Sequence, residues 1–92
     1  MADKFNGRIK PSAVTVAITA TKIPTTPLPG RQTMVLKNNG AAVVYVGNSV
    51  VSSTNGYPIA PNAELGLDVG PDVDVYGRVV SGTVNVRILE GA

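Results

Sequence analysis

Few side chains here could do chemistry, and their types limit them more than their spacing does. Neither His nor Cys occurs in the 92 residues. Imidazole as a general base, thiolate as a nucleophile and the usual zinc ligands are therefore all missing, and no disulfide can form. Carboxylates, lysines, hydroxyls and tyrosines remain. Asp68, Asp72 and Asp74 lie near one turn and could in principle offer oxygen ligands to calcium, but their spacing matches no EF-hand loop. Acids beside Gly70-Pro71 read as the solvated rim of that turn. Glu64 and Asp68 stand four residues apart on an expected strand, so they share one outward face and cannot form the opposed carboxyl pair of a glycosidase. Ser49, Ser52, Ser53 and Thr54 have no imidazole to activate them and read as loop hydroxyls that bond nearby backbone. Nothing in the spacing brings Lys22 or Lys37 to a serine. Gly40, Gly47 and Gly56 precede no helix, so they form no phosphate cradle. The expectation is a protein that is not an enzyme, with no catalytic, cofactor-binding or metal-ligating residue.

The elements that must carry these residues are strands. Hydrophobic residues make up 43% of the chain but aromatics only 4%, and fifteen Val with eight Thr supply much of the bulk, which favours pleated sheet. From Ala13 the chain alternates, with Val14, Val16 and Ile18 set against Thr15, Ala17 and Thr19. Pro24, Pro27 and Pro29 remove backbone donors between Lys22 and Gly30, so this stretch reads as an extended connection crossing from one sheet to another. Thr33 to Lys37 reads as a strand, with Ala42 to Gly47 as its antiparallel hairpin partner across Asn38-Asn39-Gly40. Asn48 to Pro61 reads as a structured loop around Asn55-Gly56 and Tyr57-Pro58, with room for one short strand. Glu64 to Val69 alternates, with Leu65, Leu67 and Val69 inward. Val73 to Val80 and Thr83 to Leu89 flank Ser81-Gly82 as a second hairpin. The sum is an all-β fold, a small antiparallel β-sandwich or jelly-roll-like barrel of about six to seven strands with an extended N-terminal arm.

The organisation expected is an arm over residues 1–12 and one β domain over 13–92. The arm mixes Lys4, Arg8 and Lys10 with Phe5 and Ile9, which suits a basic strap with something apolar to bury. Together with Pro24, Pro27 and Pro29 these are the candidate contacts to another subunit. A domain this small buries little surface, and without disulfide or metal, association of copies is the remaining common source of stability. Val43 with Val44, Val79 with Val80 and Ile88 with Leu89 place apolar residues on both strand faces, more than one buried face needs. The net charge of +2 argues against nucleic acid. No apolar run approaches the roughly 20 residues that span a bilayer, and the start Met1-Ala2-Asp3-Lys4 lacks a signal peptide's apolar core. A soluble product made in the cytoplasm, without a membrane partner, is expected.

The segment VVYVGNSVVSSTNGYPIAP from Val43 to Pro61, then ELGLDVG and the closing VYGRVVSGTVNVRILEGA, resembles a small β module of tailed-bacteriophage virion proteins. The likeness covers about residues 33–90 and rests on the order and spacing of short motifs. It implies a virion protein, most like the capsid decoration (cement) proteins. These are β-rich, commonly trimeric, and bind the major capsid protein on the outer capsid surface, stabilising the shell. It implies no catalytic residue and no cofactor. The alternative it leaves open is a head-fibre base or other virion surface module that binds a host glycan or receptor, with Tyr45, Tyr57 and Tyr76 as stacking platforms.

Overall fold

A computed structural model describes residues 8–92 of the chain. Eight strands follow one another: β1 Ile9–Val16, β2 Thr21–Ile23, β3 Thr33–Asn38, β4 Val44–Gly47, β5 Tyr57–Ile59, β6 Glu64–Leu67, β7 Val75–Arg78 and β8 Val84–Gly91. They form two four-stranded antiparallel sheets, in the orders β1-β8-β3-β6 and β2-β7-β4-β5. The all-β character follows from the valine and threonine content, while the strand count is eight rather than six or seven. The three-residue pieces are β2, which was not expected, and β5, the one short strand that the Asn48–Pro61 loop could hold. Both are followed or interrupted by proline, which hides so short a strand from a period-2 reading.

Alternation decides which residues meet between the sheets. Val14 and Val16 of β1 stand opposite Val86 and Val84 of β8, and Ile88 of β8 lies opposite Leu36 of β3. All of these are buried, as are Ile23, Val44 and Val75 of the facing sheet. Gly77 lets that facing layer close, because a Cβ there would stand 2.5 Å from Ile23 Cδ1. Leu65, Leu67 and Val69 also turn toward this core, though they are only partly covered.

Three expectations are corrected. The first strand starts at Ile9, so residues 9–12 are not part of an arm; they pair with Gly91 through Ile88 of β8. Residues 1–7 of the expected arm, including Lys4 and Phe5, lie outside the described residues, and Arg8 is held by backbone hydrogen bonds to Ala92. Neither expected hairpin exists. Asn38-Asn39-Gly40 carries the chain from the first sheet to the second, and Ser81-Gly82 carries it back, with Gly82 at φ +70°. The reason is occupancy: β8 already has β1 and β3 on its two sides and β7 has β2 and β4, so neither can accept its sequence neighbour. Among the strands, β4 and β5 alone are consecutive and paired. The Pro-rich stretch does cross between sheets, as expected, but its first two residues, Lys22 and Ile23, belong to β2 and pair with β7.

Asn38 fixes the first crossing. Its side chain is wholly buried, and Nδ2 donates to the carbonyls of Ala42 at 2.7 Å and Ile59 at 2.9 Å. Its Oδ1 accepts from the Gly40 amide at 3.0 Å. One side chain thus satisfies two backbone groups of the β3–β4 connection and the carbonyl at the end of β5. Asn38→Ala is expected to cost about 2–3 kcal/mol in urea denaturation, because it strands those groups. Asn39→Ala, at the exposed neighbour, should shift stability by less than about 0.5 kcal/mol.

Candidate functional site

The reactive groups are scattered. Among the described residues no three His, Cys, Asp or Glu side chains converge where they could hold a metal ion, and no helix is long and apolar enough to cross a membrane. Asp68, Asp72 and Asp74 are exposed in and around the connection from β6 to β7, and Asp74 pairs with Lys22 at 3.5 Å. The hydroxyls of Ser52 and Thr54 bond each other at 2.9 Å within the β4–β5 loop. That loop folds back over the second sheet, where Val51 is buried and its carbonyl accepts from Arg78 Nη1 at 3.3 Å.

The one strong polar constellation is internal. Along β8 the core-facing positions run Val84, Val86, Ile88 and then Glu90, so the parity that buries three aliphatic residues also buries a carboxylate. Glu90 Oε2 accepts from Arg31 Nη1 at 2.9 Å and from the Leu28 amide at 3.2 Å. Both charged side chains are almost wholly enclosed, at 1% and 0% exposure. Arg31 spends its other donors on backbone: Nε on Val69 O at 3.1 Å, and Nη2 on Gly70 O at 2.6 Å and Val73 O at 2.8 Å. The pair therefore ties the β2–β3 and β6–β7 connections to the last strand. Glu90 Oε1 and Ser12 Oγ, both buried, have no hydrogen-bond partner among the described residues. Nothing here is open to a substrate, so this is a structural lock.

Lys4 and Phe5 lie outside the described residues. Arg8 exchanges backbone hydrogen bonds with Ala92 and its guanidinium lies against Gly30. Ile9 is exposed, and Lys10 Nζ donates to Thr26 O at 2.6 Å. The basic residues and the Pro-rich connection are thus neighbours at one corner. Pro24 is enclosed in the interior and cannot touch a partner, which leaves Pro27 half-buried and Pro29 exposed. The tyrosines do not share a surface: Tyr45 and Tyr76 take the same outer face of the second sheet, whereas Tyr57 shares its sheet face with core-facing Val46.

Two surfaces were not located from the sequence, although Leu89 was among the apolar residues found on both strand faces. On the outer face of the first sheet, Pro11, Leu89, Val35 and Gly66 stand side by side from edge to edge. The neighbouring row carries Arg87, Lys37 and Glu64. Between the sheets, at the β5 and β6 side, an open groove is lined by Val46, Tyr57, Leu65, Leu67, Val73 and Val75, with Asp74 in its wall. The odd parity of Pro11, Val35 and Leu89 was visible, but only the register aligns them. No protein family, curated protein or solved structure matches this chain.

Glu90→Ala is expected to destabilise the fold by about 3–5 kcal/mol in chemical denaturation, because it leaves the Arg31 guanidinium buried without its counter-charge. The double variant Arg31→Met with Glu90→Leu should recover only part of that loss, because it removes the unpaired charge but leaves the Leu28 amide and the carbonyls of Val69, Gly70 and Val73 without their side-chain partners.

Proposed function

We propose that this chain is a structural subunit of a bacteriophage particle, a capsid decoration protein that binds the outer shell as an oligomer, commonly a trimer in such proteins, and clamps the major capsid protein beneath it. The observation that carries the reading is the apolar row Pro11, Leu89, Val35 and Gly66 across an outer sheet face. Solvated faces of antiparallel sheets are ordinarily polar, so an apolar row from edge to edge suits a surface covered by protein. The order β1-β8-β3-β6 over β2-β7-β4-β5 reads as an eight-stranded jelly roll, an architecture shared by viral capsid domains and lectins. The sequence likeness to virion modules supports the first of these. Stabilisation of a shell would come from modest interfaces summed over many copies.

A second reading, a fibre-base or other surface module that binds a host glycan, is favoured by one feature. Tyr76 stands opposite Gly47 on one side and Lys22 on the other, so its ring has a neighbour without a side chain next to a cation. Glycan-array binding by the purified chain, with none to undecorated capsids, would put this reading first.

Removal of residues 1–7 is the informative truncation, since removal through residue 12 would delete half of β1. The truncated chain is expected to keep its circular dichroism spectrum and melting temperature and to lose at least tenfold in co-sedimentation with capsids. Undiminished co-sedimentation would remove the basic strap from the account.

A further inference from the structure

We propose that the cavity between the β4–β5 loop and the end of β7 is a binding site for one acidic sugar unit of a glycan, with Arg78 taking the carboxylate. This rests on the second reading above, glycan recognition, and adds to it a place and a ligand class.

The cavity forms where the loop folds back on the outer face of the second sheet. Tyr45, Ser52, Ser53, Arg78, Val79 and Val80 line it, and it holds about 140 Å³. Val51 anchors the loop: it is buried, and a Cβ at Gly47 would come within 3.0 Å of its side chain. Gly56 brings the returning end equally close, since a Cβ there would stand 2.6 Å from Tyr45 Cβ. Within the loop the Ser52 amide donates to Asn55 Oδ1 at 2.8 Å, and the Gly56 amide to Ser52 O at 2.9 Å. The wall that carries the Ser52 and Ser53 hydroxyls is therefore set before a ligand arrives, which lowers the cost of binding.

Arg78 supplies the charge. Lys22, the other cation on this face, pairs with Asp74. Arg78 stands at the opposite end of β7 and has no carboxylate partner among the described residues. Its one hydrogen bond there, from Nη1 to Val51 O at 3.3 Å, holds the guanidinium against the loop. Nε and Nη2 remain, a fork that matches a carboxylate. No acidic residue lines the cavity. Asp72 and Asp74 precede the start of β7, and Glu64 lies opposite Lys37 in the other sheet.

Size and lining select the ligand. Pockets for larger organic molecules begin at roughly 300 Å³, so this one suits a single small unit. Tyr45, the cross-strand partner of Arg78, brings an aromatic ring to the same wall, where the apolar face of a sugar ring can stack. The serine hydroxyls can donate to and accept from sugar hydroxyls. A bare inorganic anion would use Arg78 and leave the ring and the valines idle.

Titration of the isotope-labelled chain with glucuronate, glucose and acetate, followed through its amide NMR signals, tests this. Glucuronate is expected to move the signals of Ser52, Ser53, Arg78 and Val80 saturably. Glucose, which lacks the charge, and acetate, which lacks the ring, should each bind about tenfold more weakly. Arg78→Gln, at an exposed position, should bring glucuronate down to the level of glucose with its circular dichroism unchanged. Arg87→Gln, on the first sheet, should titrate as wild type. No glucuronate shifts at these residues, glucose or acetate binding as well as glucuronate, or wild-type glucuronate binding by Arg78→Gln overturns the proposal. Array binding to neutral glycans alongside any of those results would strike this site and keep the second reading.

Discussion

Glu90 occupies a position that the strand pattern reserves for an aliphatic residue, and the end of the sandwich nearest it is organised around making that tolerable. A buried carboxylate must be both paired and hydrogen-bonded, or it costs several kcal/mol. Arg31 meets that need from the far side of the β2–β3 connection, 59 residues away in the chain. Its remaining donors reach Val69, Gly70 and Val73. The last of these contacts matters beyond stability, because Val73 and Asp74 form part of the groove wall. A charge pair with no access to solvent thus sets the shape of a surface that has it.

A second constraint is the winding. Apart from β4 and β5, each strand is followed by one in the opposite sheet, so almost every connection crosses the core's rim. Such crossings cannot rely on hairpin hydrogen bonds, and individual side chains take over: Asn38 at one end, Arg31 at the other. The same winding leaves β5 and β6 as free edges on one side, where the two layers fail to close over Tyr57 and Leu67. Incomplete closure of a small core and an apolar outer face both leave apolar surface that a fold of this size does not bury by itself.

Much of the interior was legible because period 2 is a local property. Val14, Val16, Val84, Val86 and Ile88 all face inward as alternation requires, and Leu65 with Leu67 do so at the edge. The start of β1 was not legible, since the residues there that share the parity of Val14 and Val16 are Lys10 and Ser12, which break the apolar alternation, and only the register with β8 shows that the strand begins at Ile9. Glu90 itself could have been found by carrying the parity of Val84, Val86 and Ile88 two residues further. Its partner could not, nor could the absence of the two hairpins. Asn-Gly and Ser-Gly record that the chain turns, whereas the sheet it turns into depends on which edges are already taken. The two candidate surfaces were hidden for the same reason, since register between distant strands builds them both.

The account rests on surfaces rather than reactive groups, and therefore on the claim that this chain works as one of several in contact. Sedimentation equilibrium of the purified wild-type chain over a wide concentration range, at low and high salt, tests that claim most directly. The account predicts a mass that is a small multiple of 9.5 kDa at both salts. A mass of 9.5 kDa at every concentration and both salts would contradict it.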